Sequence, residues 1–153
     1  MTAGSVHPAS PTPLGPYSPS VLSASTSALV FVSGQLPFDH QSGLILNQSI
    51  SEQTRTALRN ALQVAEAAGA APQDVLKVTL YTTDLSQIDA INHAYTEVMG
   101  PARPARTTVE VSRLYRGAMI EVDLIAALPA AAAQSALSAS NDGSSDHRGE
   151  PSA

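Results

Sequence analysis

Strand-like alternation occurs in four stretches of this chain and helical spacing in two. Leu29-Val30-Phe31-Val32-Ser33-Gly34-Gln35 reads as a strand that meets a glycine near its end, where backbone can approach a ligand. Asp39 to Gly43 supplies turn residues. Ser49-Ile50-Ser51-Glu52 forms a capping box, in which the serine hydroxyl accepts from the helix start and the glutamate reaches back. The helix it opens sets Thr54, Ala57, Leu58, Ala61, Leu62, Ala65 and Ala68 on one stripe, and Gly69 stops it. Val75 to Thr83 alternates as a buried strand. A second helix begins near Ser86, presents Ile88, Ile91, Tyr95, Val98 and Met99 on one side, and ends at Gly100-Pro101. Two alternating runs close the pattern, Pro104 to Val111 and Met119 to Ala126, joined through Leu114-Tyr115-Arg116-Gly117.

This order predicts an α+β fold, with two helices on one face of a mixed sheet. Two helices in a chain this short leave the other face open, so oligomerisation through the sheet is expected. At 153 residues the chain is expected to hold one domain with a substantial core. Residues 1–13, rich in Pro, Ser, Thr and Ala, read as a flexible leader, residues 14–129 as the folded domain, and residues 130–153 as a disordered tail. Neither end is expected to carry the chemistry.

Composition narrows the function. Hydrophobic residues make up 43% and charged residues 14%, a low charge density that suits a subunit interface. A net charge of −5, a pI near 5.2 and only four Tyr and two Phe disfavour a nucleic-acid partner, which needs clustered cations or stacking rings. The absence of cysteine removes disulfides, thiol nucleophiles and thiolate metal sites. His7, His40, His93 and His147 are scattered, and no metal site is expected. No apolar run approaches membrane-spanning length, and no basic stretch followed by a hydrophobic region opens the sequence. A cytoplasmic protein is the expectation.

Two residues stand out as candidate chemistry. Arg106 lies at the mouth of the strand Pro104 to Val111, and its planar fork can hold a carboxylate through two parallel hydrogen bonds. A surface ion pair is an equal reading on position alone, and Arg103 competes for the role. Glu121 sits between apolar neighbours and can direct a water or deliver a proton. Solvation is the commoner fate of a strand glutamate, and Asp123 shares its face. Asn92 falls on the same helix side as Ile88, Tyr95 and Met99, so its amide is expected to point inward to backbone or ligand. If the last two strands form a tight hairpin near Tyr115 and Arg116, Glu121 lies opposite Glu110, roughly 13 Å from Arg106. A bridging substrate, or part of the site supplied by a neighbouring subunit, would then be needed.

Six segments carry a resemblance to the reactive intermediate deaminase family, RidA or YjgF. They are Gly15-Pro16-Tyr17-Ser18, Val32-Ser33-Gly34-Gln35-Leu36-Pro37, Glu52-Gln53-Thr54-Arg55, Asn92-His93-Ala94-Tyr95, Pro104-Ala105-Arg106-Thr107 and Ile120-Glu121-Val122-Asp123. They fall in order between Leu14 and Leu128. The resemblance implies a chorismate-mutase-like homotrimer with active sites in clefts between subunits. It also implies cofactor-free hydrolysis of 2-aminoacrylate, 2-iminopropionate and related enamines or imines to a 2-keto acid and ammonia. Arg106 matches the family's carboxylate-binding arginine and Glu121 the glutamate that positions or activates water. Tyr17, Ser33 and Gly34 match positions lining the cleft, with Asn92 and Thr108 completing it.

The chain also departs from the pattern of its resemblance. Thr108 stands where many relatives carry cysteine, Leu114-Tyr115 replaces a common Leu-Pro, and Pro19 replaces a common glutamine. These changes keep two alternatives open: a relative recruited to hydrolyse or cyclise a larger biosynthetic intermediate, and a non-catalytic or ribonuclease-type relative.

Overall fold

The computed structural model describes residues 4–5, 16–17, 22–23, 28–45 and 49–134. In chain order these form β1 (Gly4–Ser5), β2 (Leu22–Ser23), β3 (Leu29–Gln35), β4 (Phe38–Asp39), β5 (Leu44–Ile45), α1 (Ile50–Ala67), β6 (Val75–Thr82), α2 (Ile88–Met99), β7 (Ala105–Glu110) and β8 (Ile120–Ala127). The main sheet runs β3-β8-β6-β7, with β8 antiparallel to both β3 and β6, and β7 parallel to β6.

Alternation along the strands sorts residues between two faces. Val78, Leu80 and Thr82 of β6, with Ile120, Val122, Leu124 and Ala126 of β8, are buried. They meet Ala57, Leu58, Ala61 and Ala65 from α1 and Ile91, Tyr95 and Met99 from α2 in one core. Both helices therefore pack on one face, as their apolar stripes predict. The helices leave the opposite face open, and it carries Leu29 and Phe31, the latter 70% exposed.

Local signals explain the helix ends. At the start of α1 the Glu52 amide donates to Ser49 Oγ at 3.4 Å, and the Ser49 amide donates to Glu52 Oε2 at 3.0 Å. The Ser49 hydroxyl, which also donates to Glu52 Oε2 at 2.7 Å, and then the Ser49 amide hold the Glu52 carboxyl below its usual pKa. Gly69, at φ +94°, turns the chain out of α1. Ser49→Ala is expected to cost about 1 kcal/mol of stability by urea denaturation. A loss indistinguishable from zero would mean the box contributes nothing to α1.

Two expectations are corrected. The last two strands do not form a hairpin: β6 lies between them, paired to β7 on one side and β8 on the other. A strand, helix, strand sequence favours a crossover that sets the second strand parallel to the first, and β6-α2-β7 takes it. The folded region also runs past residue 129. Ala130 to Gln134 turn helically, the Ala133 amide donates to Pro129 O at 2.9 Å, and Ala133 is buried in the core. Its alanines have the small apolar side chains that such packing accepts. Within the expected leader, Gly4–Ser5 pairs antiparallel with Leu22–Ser23. The other leader residues, and residues 135–153, lie outside the described residues.

Candidate active site

Arg106 is the second residue of β7 and pairs in register with Val78, which pairs in turn with Leu124. Residues in one such row share a face, so Arg106 points toward the helices. Its guanidinium carbon lies 4.9 Å from the centre of the Tyr95 ring on α2 and 5.2 Å from that of Tyr17. Burial lowers the Arg106 pKa from the ordinary arginine value, while the neighbouring tyrosines, Tyr95 first, pull it back up. A cation held between two rings is favoured by their quadrupoles, but it remains a desolvated charge.

What surrounds Arg106 is more telling. Four buried side-chain atoms lack a hydrogen-bond partner among the described residues: Arg106 Nη1, Thr108 Oγ1, Asn92 Oδ1 and Tyr95 OH. Arg106 and Thr108 are two apart on one strand face, and Asn92 and Tyr95 are three apart on one helix face. Arg106 lies directly beside Tyr95, and Thr108 and Asn92 continue the same strand and helix faces, which makes a polar patch of the four on the helix side of β7. The sequence reading named Arg106, Thr108 and Asn92 as site candidates, while Tyr95 entered it through the apolar stripe and the segment Asn92-His93-Ala94-Tyr95, with no site role. The signal was available, since Tyr95 stands three residues after Asn92 on the same face.

Glu121 faces the other way. It pairs in register with Tyr81, on the side of the sheet that the helices leave open. Between Val32 and Gln35 the β3–β8 register shifts, so Ser33 and Gly34 together oppose Asp123. This is a β-bulge, which re-aims the groups beside it. A Cβ at Gly34 would lie 1.9 Å from Glu121 Oε1, so the absence of a side chain there makes room for the carboxylate. Ser33 is exposed on this side. Asp123, the weaker alternative to Glu121, accepts from the Tyr81 hydroxyl at 2.8 Å and so is already engaged. Arg103, the rival to Arg106, donates from Nη1 to the carbonyls of Gly100 at 2.5 Å and Ala102 at 2.9 Å.

The predicted residues thus fall into two groups. Arg106, Tyr17, Asn92 and Thr108 gather on the helix side of the β7 edge, and Glu121, Gly34 and Ser33 gather on the open face. Three residues along the strand and two strand spacings separate the groups, roughly 10 Å in each direction, with the sheet between them. One chain does not bring Arg106 and Glu121 to a common substrate. Among the described residues, no three His, Asp or Glu side chains converge in a way that could hold a metal ion.

Comparison with known proteins gives this arrangement its setting. A family model described as endoribonuclease L-PSP matches residues 7–128, a stretch that includes every residue of both groups. The 2-iminobutanoate/2-iminopropanoate deaminase of Homo sapiens is 31% identical over 116 residues, covering 76% of this chain and 82% of that protein. The chain belongs to the RidA/YjgF family. A RutC family protein of Pyrococcus abyssi is 41% identical over 116 residues, 76% of this chain and 89% of the relative. The crystal structure of Escherichia coli TdcF with bound serine superposes with a TM-score of 0.64 at 31% identity, covering 78% of this chain and 94% of that one. The mixed sheet with helices on one face is therefore a RidA/YjgF fold.

Proposed function

We propose that this protein hydrolyses small 2-imino acids and their enamine tautomers, such as 2-aminoacrylate and 2-iminopropanoate, to a 2-keto acid and ammonia. The observation that carries the reading is Arg106, a desolvated guanidinium with an unpartnered Nη1 in a polar patch. Such a group is suited to a small carboxylate that replaces the water it has lost. The name of the similar human deaminase specifies imino acids, and serine, bound in the TdcF structure, is a small carboxylate of the same size class.

The reaction adds water across C=N. Arg106 holds the carboxylate and Tyr17 closes over it. A carboxylate at Glu121 takes a proton from water as the oxygen attacks the imine carbon. The resulting carbinolamine then collapses as its nitrogen gains a proton, expelling ammonia and leaving the keto group. Because Arg106 and Glu121 of one chain lie on opposite sheet faces, each site uses Arg106 of one protomer and the partner's Glu121. Exposed Leu29 and Phe31, with half-buried Ile125, supply apolar surface for that association. We assign the assembly as a homotrimer and its setting as cytoplasmic; among the described residues no helix is long and apolar enough to cross a membrane. The endoribonuclease description of the family finds little support in a chain of net charge −5, which is poorly suited to neutralising phosphates.

A larger acid is the second reading. Arg116, at φ 53°, stands over the rings of Tyr115 and Phe38 at 5.3 and 6.0 Å, beyond the end of the β3–β8 pair that holds Glu121. A cation on two rings there would suit an extended substrate. The deciding assay generates imines with a serine or threonine dehydratase and follows their loss with purified protein. Wild type should speed the loss and Arg106→Ala should return it to the uncatalysed rate. No acceleration by wild type rejects the deaminase reading, and acceleration confined to bulkier imino acids selects the second one.

A further inference from the structure

Among the described residues, the polar groups buried elsewhere in this core are bonded. Gln53 Oε1 accepts from the Met119 amide, Thr54 donates to Ile50 O, Asn60 donates to Leu36 O and Phe38 O, Asp74 accepts from the Ala71 amide, and Thr82 donates to Met119 O. Among the described residues, the unpartnered buried atoms belong to Arg106, Thr108, Asn92 and Tyr95. A protein that satisfies its other buried polar groups leaves these four open for an occupant.

Tyr95 is the least expected member. It is fully buried and is the largest side chain in that state, so phenylalanine would fill the same volume without an unpaired hydroxyl. Burial raises the pKa of that hydroxyl far above its ordinary value, keeping it a neutral donor, although the nearby Arg106 charge pulls the other way. The patch then offers three donors, the Arg106 N–H and the hydroxyls of Tyr95 and Thr108, and one acceptor, Asn92 Oδ1. A 2-imino acid presents the complement: a carboxylate that accepts and a nitrogen that donates.

We propose that Tyr95 is a substrate-binding residue whose hydroxyl joins Thr108 and Arg106 in holding the substrate carboxylate, while Asn92 accepts from the substrate nitrogen. This rests on the deaminase reading and adds to it an orientation. The acid enters past the Tyr17 ring with its carboxylate innermost, so its imine carbon faces the cleft mouth and the partner's Glu121. Thr108, a hydroxyl where many relatives have a thiol, becomes a working member of the set.

Tyr95→Phe removes one oxygen and keeps the ring under Arg106, and Thr108→Val removes the second hydroxyl at constant shape. The test measures pyruvate binding by calorimetry, KM and kcat on the enzymatically generated imine, and the thermal midpoint. Tyr95→Phe should weaken pyruvate binding and raise KM about tenfold, with kcat little changed, as expected for loss of one uniform binding contact. Its thermal midpoint should be unchanged or higher, because an unpaired polar group has been removed. A lower midpoint with unchanged affinity would mark Tyr95 as structural and overturn the assignment, as would no change in any quantity. If Tyr95→Phe does not fold, Thr108→Val decides by the same criteria. Wild type that neither binds pyruvate nor consumes imine rejects the deaminase reading itself. Wild type that does both, matched by the variants, rejects only the role given to Tyr95.

Discussion

Glu121→Gln is expected to lower kcat for imine hydrolysis by about 10²- to 10⁴-fold, the usual worth of a positioned general base. Glutamine keeps the shape that fits against Gly34, so the bulge at Ser33-Gly34 and the β3–β8 register should survive. What is lost is the ability to take a proton from water as it attacks. Pyruvate binding should change little, because in the proposed site the carboxylate is held by Arg106 and not by Glu121. The two effects therefore separate: Arg106→Ala removes binding and Glu121→Gln removes turnover. The assay is steady-state hydrolysis of the generated imine beside calorimetric pyruvate binding. A Glu121→Gln enzyme that keeps more than about a tenth of wild-type kcat would remove this carboxylate from the mechanism.

Much of this could be anticipated from residue order, because the signals involved are local. The strand Leu29–Gln35 has its expected bounds, and the Ser49/Glu52 box opens α1 where the sequence places it. The α1 stripe is buried as read apart from Ala68, which is the half-buried C-cap, and α2 ends at Gly100. Periodicity reports which residues of one element share a face, and here it did so correctly for Asn92, Tyr95, Glu121 and Asp123.

Strand adjacency was not legible in the same way. Alternation in Pro104–Val111 and Met119–Ala126 fits a hairpin as well as two strands on either side of a third, since period two is blind to the neighbour. Placing β6 between them changes the site more than the fold. It sets Arg106 in the row of Val78 and Glu121 in the row of Tyr81, on opposite faces, a relation that no spacing along the chain encodes. The role of Gly34 was partly visible as a glycine within a strand. The reason for it, space for the Glu121 carboxylate, depends on a bulge that is defined only by the partner strand. Tyr95 was hidden by its own surroundings: an apolar stripe makes an aromatic residue look like core, and its unpartnered hydroxyl gains meaning only with Arg106 against its ring.

Mixing two inactive proteins should restore activity. In a cyclic assembly where each site takes Arg106 from one protomer and Glu121 from the next, a chain carrying Arg106→Ala still offers an intact Glu121, and a Glu121→Gln chain still offers an intact Arg106. With equal amounts assorting at random, each half-site is intact half the time, so about a quarter of the sites should be fully wild type. Co-expressed or co-refolded mixtures should therefore reach about a quarter of wild-type activity per site, far above either parent. A double variant mixed equally with wild type gives the control. Shared sites leave about a quarter active, whereas sites contained in single chains would leave about half. The first mixture discriminates still more sharply, because single-chain sites would regain nothing. Mixed oligomers verified by differential tagging, yet no more active than their parents, would mean that Arg106 and Glu121 do not serve one substrate across an interface, and the division of labour between the two sheet faces would fall with it.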